Sequence, residues 1–144
     1  MQPLSVAEAV ELRGDGEKLP PGGVHGLGYT YGAAACAELV HEVLAGCVRG
    51  ADAFATGEVW QRMLARCRNL GRPGTAMMAI SAVDVALWDL KARLLEVPLA
   101  SLLGRVRETV PVYGSGGFCS YDEERLRSQL AGWVEAGIPR VKMK

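Results

Sequence analysis

The sequence predicts a two-part chain: a mostly helical α+β domain up to about residue 105, followed by a strand–helix–strand unit that opens an α/β sheet. Three observations predict it. Between residues 33 and 95, apolar residues recur at helical spacing. Beyond residue 105, two short strand-like runs flank an amphipathic helix. The composition, 49% hydrophobic with a mean hydropathy of +0.11, is rich enough for a packed core.

Residues 1–23 are the least patterned part. Glu8 to Leu12 suits a short helix or strand, and Gly14-Asp15-Gly16 and Pro20-Pro21-Gly22-Gly23 are turn material. Val24 to Tyr31 reads as a strand. Cys36, Leu39, Val40, Val43, Leu44 and Cys47 define a helix from about Ala33 to Arg49, with Gly50 as its stop. Thr56 is the predicted N-cap of the next helix, which buries Trp60, Met63, Leu64 and Cys67. Thr75 to Leu95 is apolar almost all the way round, the pattern of a central buried helix. Asp84, Asp89 and Lys91 interrupt it and are read as structural pairs, because buried charges need partners. Pro98 opens a short helix ending at Gly104. Val110 to Tyr113 is a predicted strand, and Gly114 to Phe118 a flexible loop. Ser120 with Glu123 forms a predicted capping box. The helix after it turns Leu126, Leu130, Trp133 and Val134 inward and ends at Gly137. Val141 to Lys144 forms the closing strand.

Bulk properties exclude several function classes. Sixteen basic and 16 acidic residues cancel, so no basic footprint for nucleic acid is expected. No charge-free apolar run approaches the roughly 18 residues of a membrane span. Met1 to Ser5 lacks the features of a signal peptide. The four cysteines, Cys36, Cys47, Cys67 and Cys119, have no metal-type spacing and are read as reduced, in a cytoplasmic protein. His25 and His41 have no Cys cluster near them and no metal role. Gly114 to Gly117 follows a strand but lacks the patterns of a phosphate-binding loop.

The chemistry concentrates at Pro139-Arg140-Val141-Lys142-Met143-Lys144. In a strand, Lys142 and Lys144 share one face and Val141 and Met143 the other. If the apolar pair packs on helices, both lysines line the interior of a parallel barrel. Burial and mutual repulsion are then expected to depress their basicity toward neutrality, as proton abstraction requires. The plainer alternative is an exposed edge strand with solvated lysines.

Ala79-Ile80-Ser81-Ala82-Val83-Asp84-Val85-Ala86-Leu87-Trp88-Asp89-Leu90-Lys91-Ala92-Arg93, then Pro98-Leu99 and Leu102-Leu103-Gly104, resembles the mandelate racemase/muconate lactonizing enzyme signature of the enolase superfamily. Gly26-Leu27-Gly28-Tyr29, Asn69-Leu70-Gly71-Arg72-Pro73-Gly74 and Val110-Pro111-Val112-Tyr113 resemble segments flanking that signature. Lys142-Met143-Lys144 resembles the K-x-K motif of the second barrel strand.

The resemblance implies residues 24–105 as a partial N-terminal α+β capping domain, here mostly helical. Residues 106–144 are then the first β-α-β of a truncated TIM-type barrel, since a whole barrel takes about 250 residues. Residues 1–23 stay unassigned and unlike the family's opening strands, which normally carry a mobile loop that closes over substrate. Glu96 stands where a helix-ending glycine is usual, at an expected cost of about 1 kcal/mol.

The resemblance further implies a Mg²⁺-dependent racemase or acid-sugar dehydratase that removes a proton α to a carboxylate and stabilises the enediolate on the metal. Lys144 inherits the general-base role. Lys142 inherits that of electrostatic partner, lowering the pKa of Lys144 and helping hold the substrate carboxylate. Tyr113, Ser115 and Phe118 are candidate substrate contacts. The Mg²⁺ ligands belong to the third, fourth and fifth barrel strands, so no metal residue is assigned in this chain. The implied partners are a small carboxylic acid and, at full length, further copies of the chain, with no nucleic acid or membrane. These residues alone are expected to be inactive. The alternative is a catalytically dead capping-domain remnant that acts only as an interaction module.

Overall fold

The computed structural model describes Leu4–Ser5, residues 23–71 and residues 73–144. The expected elements at Glu8 to Leu12, Gly14 to Gly16 and Pro20 to Gly22 lie outside the described residues. The chain divides after Gly104 into two compact units.

In the first unit, β1 (Leu4–Ser5) pairs antiparallel with β2 (Tyr29–Thr30), Leu4 opposite Thr30. Only these two residues of the predicted Val24 to Tyr31 strand form a ladder. The preceding Gly26-Leu27-Gly28 lies instead on the central helix, α4 (Thr75–Leu94). A Cβ added to Gly28 would overlap the Ala82 carbonyl oxygen, and one on Gly26 would overlap that of Ala86. Only glycine permits this approach of backbone to backbone. The Leu27 amide donates to Asp89 Oδ2 at 2.7 Å, and Arg93 Nε donates to the same oxygen at 2.8 Å. Asp89 is therefore a structural pair, as the sequence suggests.

α1 (Ala34–Leu39), a π-helical turn (Val40–Leu44) and α2 (Ala45–Val48) form one helix. The turn departs from the uniform α-helix read from the sequence: the Ala45 amide reaches back five residues to the Val40 carbonyl. Gly50, at φ +71°, follows the helix as predicted. α3 (Thr56–Arg66) starts differently from expectation. Thr56 is its first residue, 4% exposed, and Ala55 is the N-cap with no side-chain bond. The preceding turn is built by Asp52, whose Oδ1 accepts from the Phe54 amide at 2.9 Å. Burial of Thr56 beside Val59 and Met63 takes it out of the capping role.

α4 joins these helices in one core. Ile80, Val83 and Leu87 pack with Val40, Leu44, Val59 and Met63, while Trp60 and Leu64 sit half-buried at its margin. Lys91 Nζ donates to the Phe54 carbonyl at 2.9 Å and lies over Trp88, tying the approach to α3 onto α4. Asp84 is half-buried, and burial raises its carboxyl pKa above the ordinary aspartate value. Just past the end of α4 stands Glu96, whose φ of +55° makes it the one non-glycine with positive φ among the described residues. The Val97 amide closes the end onto the Ala92 carbonyl at 3.0 Å. This left-handed conformation carries a cost of about 1 kcal/mol. α5 (Leu99–Leu102) completes the unit, with Pro98 at its N-cap.

The second unit pairs β3 (Gly114–Gly116) in parallel with β4 (Val141–Met143), joined by α6 (Glu123–Glu135). β3 falls where the sequence suggests a loop, while Val110 to Tyr113 forms no ladder. The reason lies in α6: Cβ atoms at Gly114 and Gly116 would collide with Trp133 and Gln129. Only a bare backbone fits beneath these side chains. Asp122, not Ser120, caps α6; its Oδ1 accepts from the Arg125 amide at 2.7 Å. Leu126, Leu130 and Trp133 are half-buried as expected, but Val134 is 72% exposed. The helix closes through Gly137, at φ +73°, where the Ile138 amide donates to the Trp133 carbonyl at 2.9 Å.

Two outcomes are expected in the first unit. Gly28→Ala lowers stability by about 1–3 kcal/mol in denaturant unfolding, because the added methyl meets rigid helix backbone. For Asp84 the sign follows from linkage. A raised folded-state pKa contributes stability that is present at acid pH and lost as pH rises through that pKa. Asp84→Asn therefore melts higher than the parent near pH 7, and the gap closes toward about pH 3. A constant gap across that range would refute the assignment.

Candidate functional site

The sheet of the second unit has two unlike faces. Gly114 and Gly116 turn one face toward Trp133 and Gln129 of α6. Their ladder partners are Val141 and Met143, so these share that face. Ser115 pairs with Lys142, which puts both on the opposite, uncovered face. The sheet continues one step beyond the strands: the Lys144 amide donates to the Gly117 carbonyl at 3.3 Å. Period-two alternation returns Lys144 to the side of Lys142 and Ser115.

Both lysines are exposed in this two-stranded sheet. Two strands with a helix on one side leave the other side open, so enclosure of the lysines is a property this unit does not supply. Ser115 and Tyr113 are exposed as well, and Tyr113 lies just before β3. Phe118 does not stand free. Its ring lies 5.0 Å from Lys144 Nζ and meets Tyr121 edge-on at 5.4 Å. The segment between β3 and α6 is pinned rather than loose. Gln129 Oε1 accepts from the Gly117 amide at 3.0 Å, and the Tyr121 amide donates to the Phe118 carbonyl at 2.9 Å.

Of the five residues singled out from sequence, the structure brings Ser115 beside Lys142 and Phe118 beside Lys144. It shows no polar contact for Tyr113. Cys119, whose sequence context suggests only a reduced thiol, donates through Sγ to the Lys144 carbonyl at 3.4 Å. Neither its type nor its spacing signals that contact. Among the described residues all four cysteines are free, and Cys36, Cys47 and Cys67 are buried. Burial pushes the Cys67 thiol up, with Cys47 adding to the shift. No group of three or more His, Cys, Asp or Glu among the described residues is placed to hold a metal ion. No described helix is long and apolar enough to cross a membrane.

Residues 17–104 match the N-terminal domain of the mandelate racemase/muconate lactonizing enzyme family. The chain belongs to this family. Like other mandelate racemase/muconate lactonizing enzymes, it thereby falls within the enolase superfamily, and its first unit is the family's N-terminal capping domain. A 3,6-anhydro-alpha-L-galactonate cycloisomerase of Streptomyces coelicolor is 43% identical over 85% of this chain and 35% of its own length. A mandelate racemase/muconate lactonizing enzyme-like protein from Rubrobacter xylanophilus is 59% identical, with a TM-score of 0.75 over 87% of this chain and 35% of that one. The L-talarate/galactarate dehydratase of Salmonella typhimurium, solved with Mg and L-lyxarohydroxamate, is 30% identical, with a TM-score of 0.68 over 86% of this chain and 33% of that one. The chain thus spans about a third of the length of the family relatives it matches.

One outcome tests the local construction of the unit. Asp122→Ala removes the side-chain acceptor for the Arg125 amide and costs about 1 kcal/mol. Ser120→Ala, by contrast, leaves stability within about 0.5 kcal/mol, as for a surface position without a partner. Thermal melts of the two variants side by side decide between the caps.

Proposed function

We propose that these residues are the N-terminal part of an enolase-superfamily enzyme, of racemase or acid-sugar dehydratase type, that removes a proton α to a carboxylate. The observation that carries this reading is the β3–β4 register. It pairs Ser115 with Lys142 on the sheet face away from α6, and period-two alternation supports the same side for Lys144. On this reading that face belongs to the interior of a TIM-type barrel begun by the second unit.

Lys144 in its neutral form takes the proton: the carbon–hydrogen bond breaks, a nitrogen–hydrogen bond forms, and the electron pair stays with the substrate. Lys142, on the same face, supplies positive charge for the substrate carboxylate. Ser115 is beside Lys142 and is suited to hydrogen-bond a substrate oxygen, with Tyr113 at the approach to the strand. The names of the relatives point to a polyhydroxylated carboxylic acid as the substrate class.

The dehydratase structure is liganded with Mg and L-lyxarohydroxamate. The described residues here offer no ligand set for it, so the metal fits no site among them. The steps drawn above therefore involve only this chain's own side chains. Residues 144 in number, about a third of a relative's length, are proposed to be inactive by themselves.

The test is exchange of the α-proton of aldonate and aldarate substrates into D₂O, with and without Mg²⁺. It uses the protein translated from the whole reading frame that encodes these residues. Magnesium-dependent exchange that falls by about 10²–10⁴ in Lys144→Ala is the expected result. Exchange that survives the substitution overturns the role of Lys144. Absence of exchange with any acid sugar favours the interaction-module reading.

A further inference from the structure

Three consecutive residues touch Lys144. The Gly117 carbonyl accepts its amide at 3.3 Å, Cys119 Sγ donates to its carbonyl at 3.4 Å, and Phe118 presents its ring 5.0 Å from Nζ. The first two contacts fix the backbone of Lys144. The third fixes the far end of its side chain. Phe118 is itself held: Tyr121 meets it edge-on at an interplanar angle of 70°, and Arg125 lies 4.0 Å from the Tyr121 centroid on that ring's face. Beneath the turn, Gln129 accepts the Gly117 amide at 3.0 Å.

We infer that Phe118 is a positioning residue for Lys144, its ring face forming a seat for the ammonium group. The physical basis is the negative face of the aromatic quadrupole, which attracts a cation and gains little from a neutral amine. The seat therefore distinguishes the two protonation states of one side chain. It draws in the charged lysine and leaves the neutral amine free to move. The seat rests on the geometry of the second unit alone. Its catalytic meaning, holding the lysine that carries a transferred proton, rests on the base role proposed above. Phe118, first read as a substrate contact, is thereby assigned to the lysine.

The seat is tested without substrate, on the protein translated from the whole reading frame that encodes these residues, so its failure is distinct from failure of the proposed base role. Two readouts apply: the proton chemical shift of the Lys144 Hε methylene, and the rate of acetylation at Lys144 by an N-hydroxysuccinimide ester. The acetylation rate is read by peptide mass spectrometry with Lys142 as internal reference. An upfield Hε shift is expected in the parent from the ring current. In Phe118→Leu that shift is lost and acetylation of Lys144 relative to Lys142 rises about two- to five-fold, the range set by an exposed cation–π contact. Phe118→Tyr retains both parent values. A parent Hε shift at the ordinary lysine position overturns the inference with no variant needed. So does a Phe118→Leu chain, folded by circular dichroism, whose acetylation ratio equals that of the parent.

Discussion

The first unit depends on one close approach, that of the Gly26-Leu27-Gly28 backbone to α4. Carbonyl oxygens of Ala82 and Ala86 occupy the space where side chains would otherwise stand. Small residues on both partners make the approach possible. Asp89 makes it specific, because its carboxylate satisfies an amide that the helix surface would leave without a partner. The direction in which β2 leaves α4, and with it the pairing of β1 and β2, follows from this anchor. Arg93 completes the carboxylate's coordination, and Lys91 ties the approach to α3 onto the same helix. The family signature along α4 is thus mainly a set of packing and anchoring requirements.

The second unit repeats the device for a different purpose. Bare backbone at Gly114 and Gly116 lets Trp133 and Gln129 of α6 settle onto the sheet. That contact commits one face of the strands to packing. By alternation it commits the other to polar side chains, Ser115 and Lys142 among them. Chemistry and packing are separated by nothing more than strand parity. Reactive groups can be presented on one side while the other is anchored to a helix. The signature that identifies the family and the residues proposed to act therefore lie in different units.

Much of this was legible in the sequence. Periodicity located the helices, and alternation put both lysines on one face, because each signal depends only on neighbours along the chain. What misled were positions decided by distant partners. Gly114–Gly116 has poor strand propensity, yet Trp133 selects bare backbone there. Ser120 with Glu123 matches the capping-box pattern, yet it is Asp122 whose Oδ1 accepts the Arg125 amide. Val134 fits an apolar stripe on paper but stays exposed on α6. Burial of the lysines depends on how many strands surround them, which no local pattern encodes. The Phe118–Lys144 contact joins two segments separated by a whole helix, and no motif announces it.

The π-helical turn at Val40–Leu44 has its own consequence. Cys36, Val40, Leu44 and Val48 are all buried at intervals of four residues. On a regular α-helix each such interval overshoots a full turn by about 40°, so the row would wind away from its neighbours. The wider turn takes up part of that excess and keeps the row facing the core. The helix thus holds one residue more than the gap strictly needs, stored as slack in the middle rather than at an end. A single-residue deletion there could be absorbed by reverting to ordinary pitch, whereas the same deletion elsewhere in the helix would shift the register of everything after it.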